Sequence, residues 1–172
     1  MGSVTYVGRL VNTIGALPPI GSQAPDFTVS KTDLSEFTLK DCLGKKAILS
    51  IFPSLDTPTC AMAMVRFNRI AELVDNVLIV CISADLPFAQ LRFCAAKQVN
   101  TVIPVSTFRN PEFGEIYGVT MIDGPFKGLL SRAVVLLNEK GKVIYTEQVT
   151  ELTHEPNYDA VLASLRKDAA GK

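Results

Sequence analysis

Four short apolar runs, rich in β-branched residues, punctuate the chain at Ala47 to Phe52, Val77 to Ser83, Val102 to Val105 and Ala133 to Leu137. Each is bounded by turn or polar residues, the pattern of a buried strand. Between the first two, Met64, Phe67, Ala71 and Val74 recur at three- and four-residue spacing, which predicts a helix with one apolar stripe. Between the second and third, Phe88, Leu91 and Ala95 predict another over Pro87 to Lys97. Strand, helix, strand, helix, strand is the order of a sheet with crossover helices. The grammar then changes. Ala133 to Leu137, a turn at Asn138 to Gly141 and Lys142 to Tyr145 predict an antiparallel hairpin. Tyr158, Val161, Leu162 and Leu165 predict a closing helix over Pro156 to Lys167. The expected fold class is α/β, a central mixed sheet flanked by helices. Val4 to Val7 and Leu10 to Ile14, around Gly8, predict a small additional hairpin over about residues 4–14.

Composition narrows the function classes. The 172 residues contain no repeat, like-charge block or compositional break, so one domain spanning 1–172 is expected. With 48% hydrophobic residues a core can form without staples, and intrinsic disorder is excluded. Seventeen basic residues balance seventeen acidic ones, so no overall charge points to nucleic acid or to an anionic membrane. His154 is the single histidine, and neither a CxxC pair nor an HExxH helix occurs, which argues against a structural or catalytic zinc site. Gly124 to Gly128 lacks the spacing of a phosphate loop, and no cofactor is expected. No stretch reaches the roughly 18 apolar residues of a membrane helix. The segment from Leu10 to Asp26 is interrupted by Gly15, Pro18, Pro19, Gly21 and Pro25 and fits a signal peptide poorly. Tyr6 stands where a myristoylation motif wants Ser or Thr. A cytoplasmic location is the expectation.

Cysteines carry the chemistry. Those at positions 42, 60, 81 and 94 are too few and too irregular for a disulfide scaffold and suit a reducing compartment. The first core strand leads directly into Phe52-Pro-Ser-Leu-Asp-Thr-Pro-Thr-Cys60, after which the helical stripe begins. With Thr57 as N-cap, Pro58 takes the first helical position and Cys60 the third. Its sulfur then lies near backbone N–H groups without helical acceptors, at the positive end of the helix dipole, a setting that favours thiolate. The site also falls at the carboxyl end of a strand, where open α/β sheets bind ligands. A small thiol packed beneath a helix start fits the same spacing, so the residues alone leave both readings open. Cys81, inside a continuous apolar run, reads as buried and inert, and Cys42 as incidental in a turn. By itself Arg132 reads as a surface ion-pair partner, Cys94 equally well as ordinary helix packing, and His154 as a residue at or before the last helix.

Pro53-x-x-x-Thr57-x-x-Cys60 matches the PxxxTxxC motif of the peroxiredoxins, and Ala24-Pro-Asp-Phe-Thr28 resembles their usual opening. Ile82 to Gln90, Arg92-Phe-Cys94, Ser106 to Asn110 and Asp123-Gly-Pro125 together resemble the thiol peroxidase branch over essentially the whole chain. The resemblance implies a thioredoxin-like core with an added N-terminal hairpin and reduction of hydroperoxides by a cysteine thiolate. It implies that Cys60 is the peroxidatic cysteine, oxidised to a sulfenic acid, that Thr57 hydrogen-bonds thiolate and peroxide, and that Pro53 shields the sulfur. It also implies that Arg132 stabilises the thiolate and the leaving oxygen, and that Cys94 resolves the sulfenic acid as an intramolecular disulfide. Thioredoxin as reductant and a homodimeric assembly follow from the same resemblance. Because a disulfide needs Cα atoms within roughly 7 Å, cysteines on two crossover helices require local unwinding to pair. A thioredoxin-type disulfide carrier would want a CxxC pair that is missing around Cys60, whereas a non-catalytic redox sensor shares the peroxidase's first step and stays open.

Overall fold

The structure, a computed structural model, describes residues 1–171. Strands β1 (Gly2–Tyr6) and β2 (Arg9–Thr13) form the N-terminal antiparallel hairpin, two residues ahead of the expected start. Then follow β3 (Thr28–Lys31), β4 (Glu36–Thr38), a 3-10 turn (Leu39–Cys42), β5 (Lys46–Ile51), α1 (Pro58–Leu73), β6 (Val77–Ser83) and α2 (Pro87–Lys97). The chain continues through β7 (Ile103–Ser106), α3 (Glu112–Ile116), β8 (Ala133–Leu137), β9 (Val143–Gln148) and α4 (Tyr158–Ala170). Seven strands make one sheet in the order β4-β3-β7-β6-β5-β8-β9. β5, β6 and β7 run parallel, as their crossover helices require, while β8, β9, β3 and β4 pair antiparallel.

Every residue of β5 and of β8 is buried, because the sheet is covered on both faces. Alternation along the strands divides the core in two. Ala47, Leu49, Ile51, Val80, Val135 and Leu137 face a layer built on Phe27, Phe113 and Tyr117. Ile48, Ile79, Cys81, Val134 and Leu136 face α1 and α4, meeting Met64, Phe67, Val161 and Leu165. Cys60 is buried in this second layer, and Phe93 and Cys94 pack against it.

Helix α2 occupies the expected span with a different orientation. Phe88 and Leu91 are 65% and 55% exposed, so the apolar stripe read from the sequence lies on the solvent side. What turns inward is Pro87 and Gln90, with Phe93 and Cys94 half-buried. The reason is polar: the Gln90 amide donates to the Val105 carbonyl (2.8 Å) and to Ser83 Oγ (3.3 Å), fixing the helix by a buried side chain that hydropathy would have assigned to water.

Carboxylates tie the hairpin to the body. Glu151 accepts from Thr5 Oγ1 (2.8 Å) and from the N–H groups of Val7 (3.0 Å) and Gly8 (3.2 Å). Asp123 accepts from the Asn12 N–H and side-chain amide at 2.8 and 2.7 Å. Gly118, at φ +71°, lies where a Cβ would stand 2.3 Å from the Ala16 carbonyl oxygen, so glycine alone fits the crossing that leads the chain back toward β8.

Candidate active site

Thr57 is the N-cap of α1 and Pro58 its first residue, as the sequence predicts. The first intrahelical bond runs from the Ala61 N–H to the Thr57 carbonyl at 3.0 Å, so the N–H groups of Thr59 and Cys60 precede any helical acceptor. Cys60 is completely buried. Its Sγ receives a hydrogen bond from Nη1 of Arg132 at 3.3 Å. Strand β5 therefore delivers the thiol and the residue preceding β8 delivers the guanidinium, side by side because β5 and β8 are neighbours.

Arg132 is 2% exposed, which rules out the surface ion-pair alternative. Nη2 donates to the Leu152 carbonyl at 2.9 Å, holding the fork in place, while Nε has no acceptor. Among the described residues no carboxylate lies within ion-pair distance of this guanidinium. An arginine cannot shed its proton in a protein, so a full positive charge is buried here and directed at sulfur. That arrangement stabilises negative charge on Sγ or on an atom bonded to it.

Pro53, Thr57 and Arg132 line a cavity of about 250 Å³, walled on its apolar side by Tyr6, Phe126 and Leu152. Tyr6 and Phe126 meet edge to face, their centroids 4.8 Å apart. The Thr57 hydroxyl donates to the Ser54 carbonyl at 3.0 Å rather than capping the helix or bonding the sulfur. A hydroxyl has one proton, so in this rotamer it faces other groups only as an acceptor.

Cys94 lies on α2, half-buried, and burial pushes its thiol up from the usual range. Cys81 is buried in β6 with its thiol pushed strongly upward by desolvation and then by Cys94, in keeping with an inert thiol. Cys42 closes the 3-10 turn, buried and pushed up to about 12, chiefly by desolvation. His154 is exposed and precedes α4, whose N-cap is Asn157.

Three features of the site went unread in the sequence: the Tyr6 and Phe126 wall, the Leu152 carbonyl that orients Arg132, and the carboxylate of Asp85. Asp85 accepts from Ser54 and Leu55 of the Cys60 loop. The available signal was its place in the Ile82 to Gln90 run, at the end of a buried strand.

Known proteins resemble this chain over nearly its whole length. The Redoxin family model matches residues 19–162. Curated thiol peroxidases of Mycobacterium tuberculosis and Mycobacterium bovis are each 47% identical over 165 residues, covering 96% of this chain and 99% of theirs. A peroxiredoxin-like protein from Aquifex aeolicus superposes with a TM-score of 0.90 at 36% identity, covering 96% of both chains. A thiol peroxidase from Chromobacterium violaceum shares the fold with a TM-score of 0.90 at 21% identity, over 99% of this chain and 98% of its own. The chain therefore belongs to the Redoxin family, and its relatives place it in the thiol peroxidase branch of that family.

Proposed function

We propose that this peroxiredoxin-type enzyme reduces hydroperoxides at Cys60 and resolves the oxidised sulfur with Cys94. The observation that carries the reading is the buried Arg132 guanidinium, without a carboxylate partner among the described residues, donating to Cys60 Sγ at 3.3 Å. The thiolate attacks the terminal peroxide oxygen, the O–O bond breaks, and the leaving alkoxide takes up a proton as alcohol, or as water from hydrogen peroxide. Cys60 becomes a sulfenic acid. Arg132 stabilises the charge that passes from sulfur to the leaving oxygen, Thr57 turns its hydroxyl to the peroxide, and Pro53 keeps bulk water from the sulfur. The Cys94 thiolate then attacks Cys60 Sγ, expelling hydroxide that becomes water, and a dithiol reductant of the thioredoxin type returns two electrons to the disulfide.

Both organic hydroperoxides and hydrogen peroxide fit the cavity. Its volume of about 250 Å³ far exceeds a molecule the size of hydrogen peroxide, and the Tyr6, Phe126 and Leu152 wall suits an apolar substituent. The cycle works as one unit spanning 1–172, in the reducing cytoplasm that free thiols favour. It works as a homodimer, the outward stripe of Leu86, Phe88 and Leu91 supplying apolar surface of the kind a second copy covers.

The test is intact mass and disulfide mapping after one equivalent of hydroperoxide, with Cys60→Ser and Cys94→Ser alongside. A Cys60 to Cys94 link, a trapped sulfenic acid in Cys94→Ser, and steady turnover with thioredoxin are expected. A link through Cys42 or Cys81, or a Cys60 that remains a thiol, overturns the reading. Light scattering reports the dimer.

A further inference from the structure

We propose that Asp85 is a positioning residue that clamps the Cys60 loop to the Cys94 helix, and that release of this clamp governs disulfide formation. The inference rests on the peroxidatic and resolving roles given above to the two cysteines. Asp85 stands between β6 and α2. Its carboxylate accepts three hydrogen bonds, from Ser54 Oγ at 2.7 Å, from the Leu55 N–H at 2.8 Å and from Ser83 Oγ at 2.7 Å. The first two donors belong to the loop that runs from Pro53 to the Thr57 cap.

The third donor leads to the other cysteine. Ser83 Oγ accepts from the buried Gln90 amide at 3.3 Å, and Gln90 also donates to the Val105 carbonyl at 2.8 Å. Gln90 lies one helical turn before Cys94, on the same face of α2. The Asp85 carbonyl accepts from Ser106 Oγ at 2.5 Å, which anchors the clamp to the end of β7. A continuous chain of donors and acceptors thus joins the loop before Cys60 to the helix of Cys94.

Among the described residues no lysine or arginine lies within ion-pair distance of this carboxylate. Its charge is held by hydrogen bonds alone, and such charge-assisted bonds are the stronger kind. Cys60 lies in the first turn of α1 and Cys94 within α2, and a disulfide requires their Cα atoms within roughly 7 Å, so on this proposal pairing proceeds by displacement of the Cys60 loop and of α2. Displacing the loop removes Ser54 and Leu55 from Asp85, and displacing α2 removes the Gln90 support of Ser83. Both movements draw on one carboxylate, so opening of either segment weakens the hold on the other. The clamp keeps the arrangement that receives peroxide and slows the step that resolves it.

Asp85→Asn, Ser54→Ala and Ser54→Thr test this against wild type, with rapid quench and mass analysis following each sulfur species. In Asp85→Asn, conversion of the Cys60 sulfenic acid to the disulfide should quicken about fivefold or more. The fraction driven to sulfinic acid by excess peroxide should fall, and the second-order reaction with peroxide should slow about tenfold. Ser54→Ala should move all three readings in the same directions by less, Ser54→Thr should restore them, and the double variant Asp85→Asn with Ser54→Ala should not exceed Asp85→Asn alone. Slower or unchanged disulfide formation in both Asp85→Asn and Ser54→Ala overturns the proposal, because general damage to the site slows peroxide reaction without speeding resolution. If Asp85→Asn does not fold, Ser54→Ala decides. Should wild type form no Cys60 to Cys94 link, the functional reading falls and this proposal with it; a normal wild-type link with unmoved variants removes the Asp85 role alone.

Discussion

Replacing Arg132 by Met keeps an unbranched side chain of similar reach and removes both of its bonds, to Cys60 Sγ at 3.3 Å and to the Leu152 carbonyl at 2.9 Å. A fixed donor aimed at developing charge contributes about 10²–10³ in rate, or roughly 2.7–4 kcal/mol. Stability responds to opposing effects. The Leu152 carbonyl loses a charged donor, destabilising by about 1–3 kcal/mol. Against this, a buried guanidinium with an unpartnered Nε no longer has to be desolvated, which offsets part of the loss. A net change below about 2 kcal/mol moves the Tm of a domain this size by no more than about 8 °C. The assay follows loss of the Cys60 thiol by mass in pre-reduced protein mixed with one equivalent of hydroperoxide, with Tm measured on the same samples. Arg132→Met should react about 10²–10³ times more slowly while remaining folded. Arg132→Lys should fall between, since an ammonium reaches one of the two acceptors and lacks the planar fork. A folded Arg132→Met protein that reacts within about threefold of wild type refutes the argument that the guanidinium stabilises the reacting sulfur.

Other consequences are open to measurement. Phe126→Ala removes the ring packed 4.8 Å from Tyr6, and should lower kcat/KM for a bulky organic hydroperoxide about 10-fold more than for hydrogen peroxide, the equivalent of about 1.5 kcal/mol of apolar contact; equal losses would show that the wall does not touch the substituent. Glu151 is held down to about 2, first by the Thr5 hydroxyl and then by backbone N–H groups, so its contribution to stability is full above the ordinary glutamate range and is lost as pH falls through about 2. The Tm difference between wild type and Glu151→Gln should therefore be steady above pH 5 and shrink below about 4.5, and a difference independent of pH contradicts the assignment. Gly118→Ala places a methyl 2.3 Å from the Ala16 oxygen at φ +71° and should destabilise by about 3 kcal/mol or more, read as a Tm drop of at least about 6 °C.

The central strands β5, β6 and β8 were legible because the sheet is covered on both faces there, so they are apolar almost throughout and end at polar turns. Helix α1 was legible down to its cap, since Thr57 and Pro58 announce a helix start and Met64 and Phe67 are buried where the stripe puts them. By contrast β3 and β4, of four and three residues, sit at one side of the sheet in segments with no apolar run to mark them. The five-residue α3 is too short to establish a period. Orientation of α2 was misread because a buried glutamine decides it, and hydropathy carries no information about hydrogen-bond partners. In the site, Cys60 and its helix start could be read locally, while Arg132 beside it depends on β8 pairing with β5. The Tyr6 wall depends on contacts across almost the whole chain, which no local pattern encodes.

The pocket is closed by residues from opposite ends of the polypeptide. Tyr6 belongs to the first hairpin, which is fastened through Thr5 to Thr150 and Glu151, and the carbonyl that steadies Arg132 comes from Leu152. Contacts of such sequence separation are the last for which loop-closure entropy can be recovered. During synthesis at about 5–20 residues per second, roughly 5–20 s pass between the appearance of Cys60 and that of Thr153. Through that interval the nascent chain carries Cys60 without a seated guanidinium and without a wall, as an ordinary thiol. On the proposed function, reactivity therefore waits until synthesis has passed residue 152, and a protein truncated before that point would keep the Pro53-x-x-x-Thr57-x-x-Cys60 motif while lacking the carbonyl that steadies Arg132.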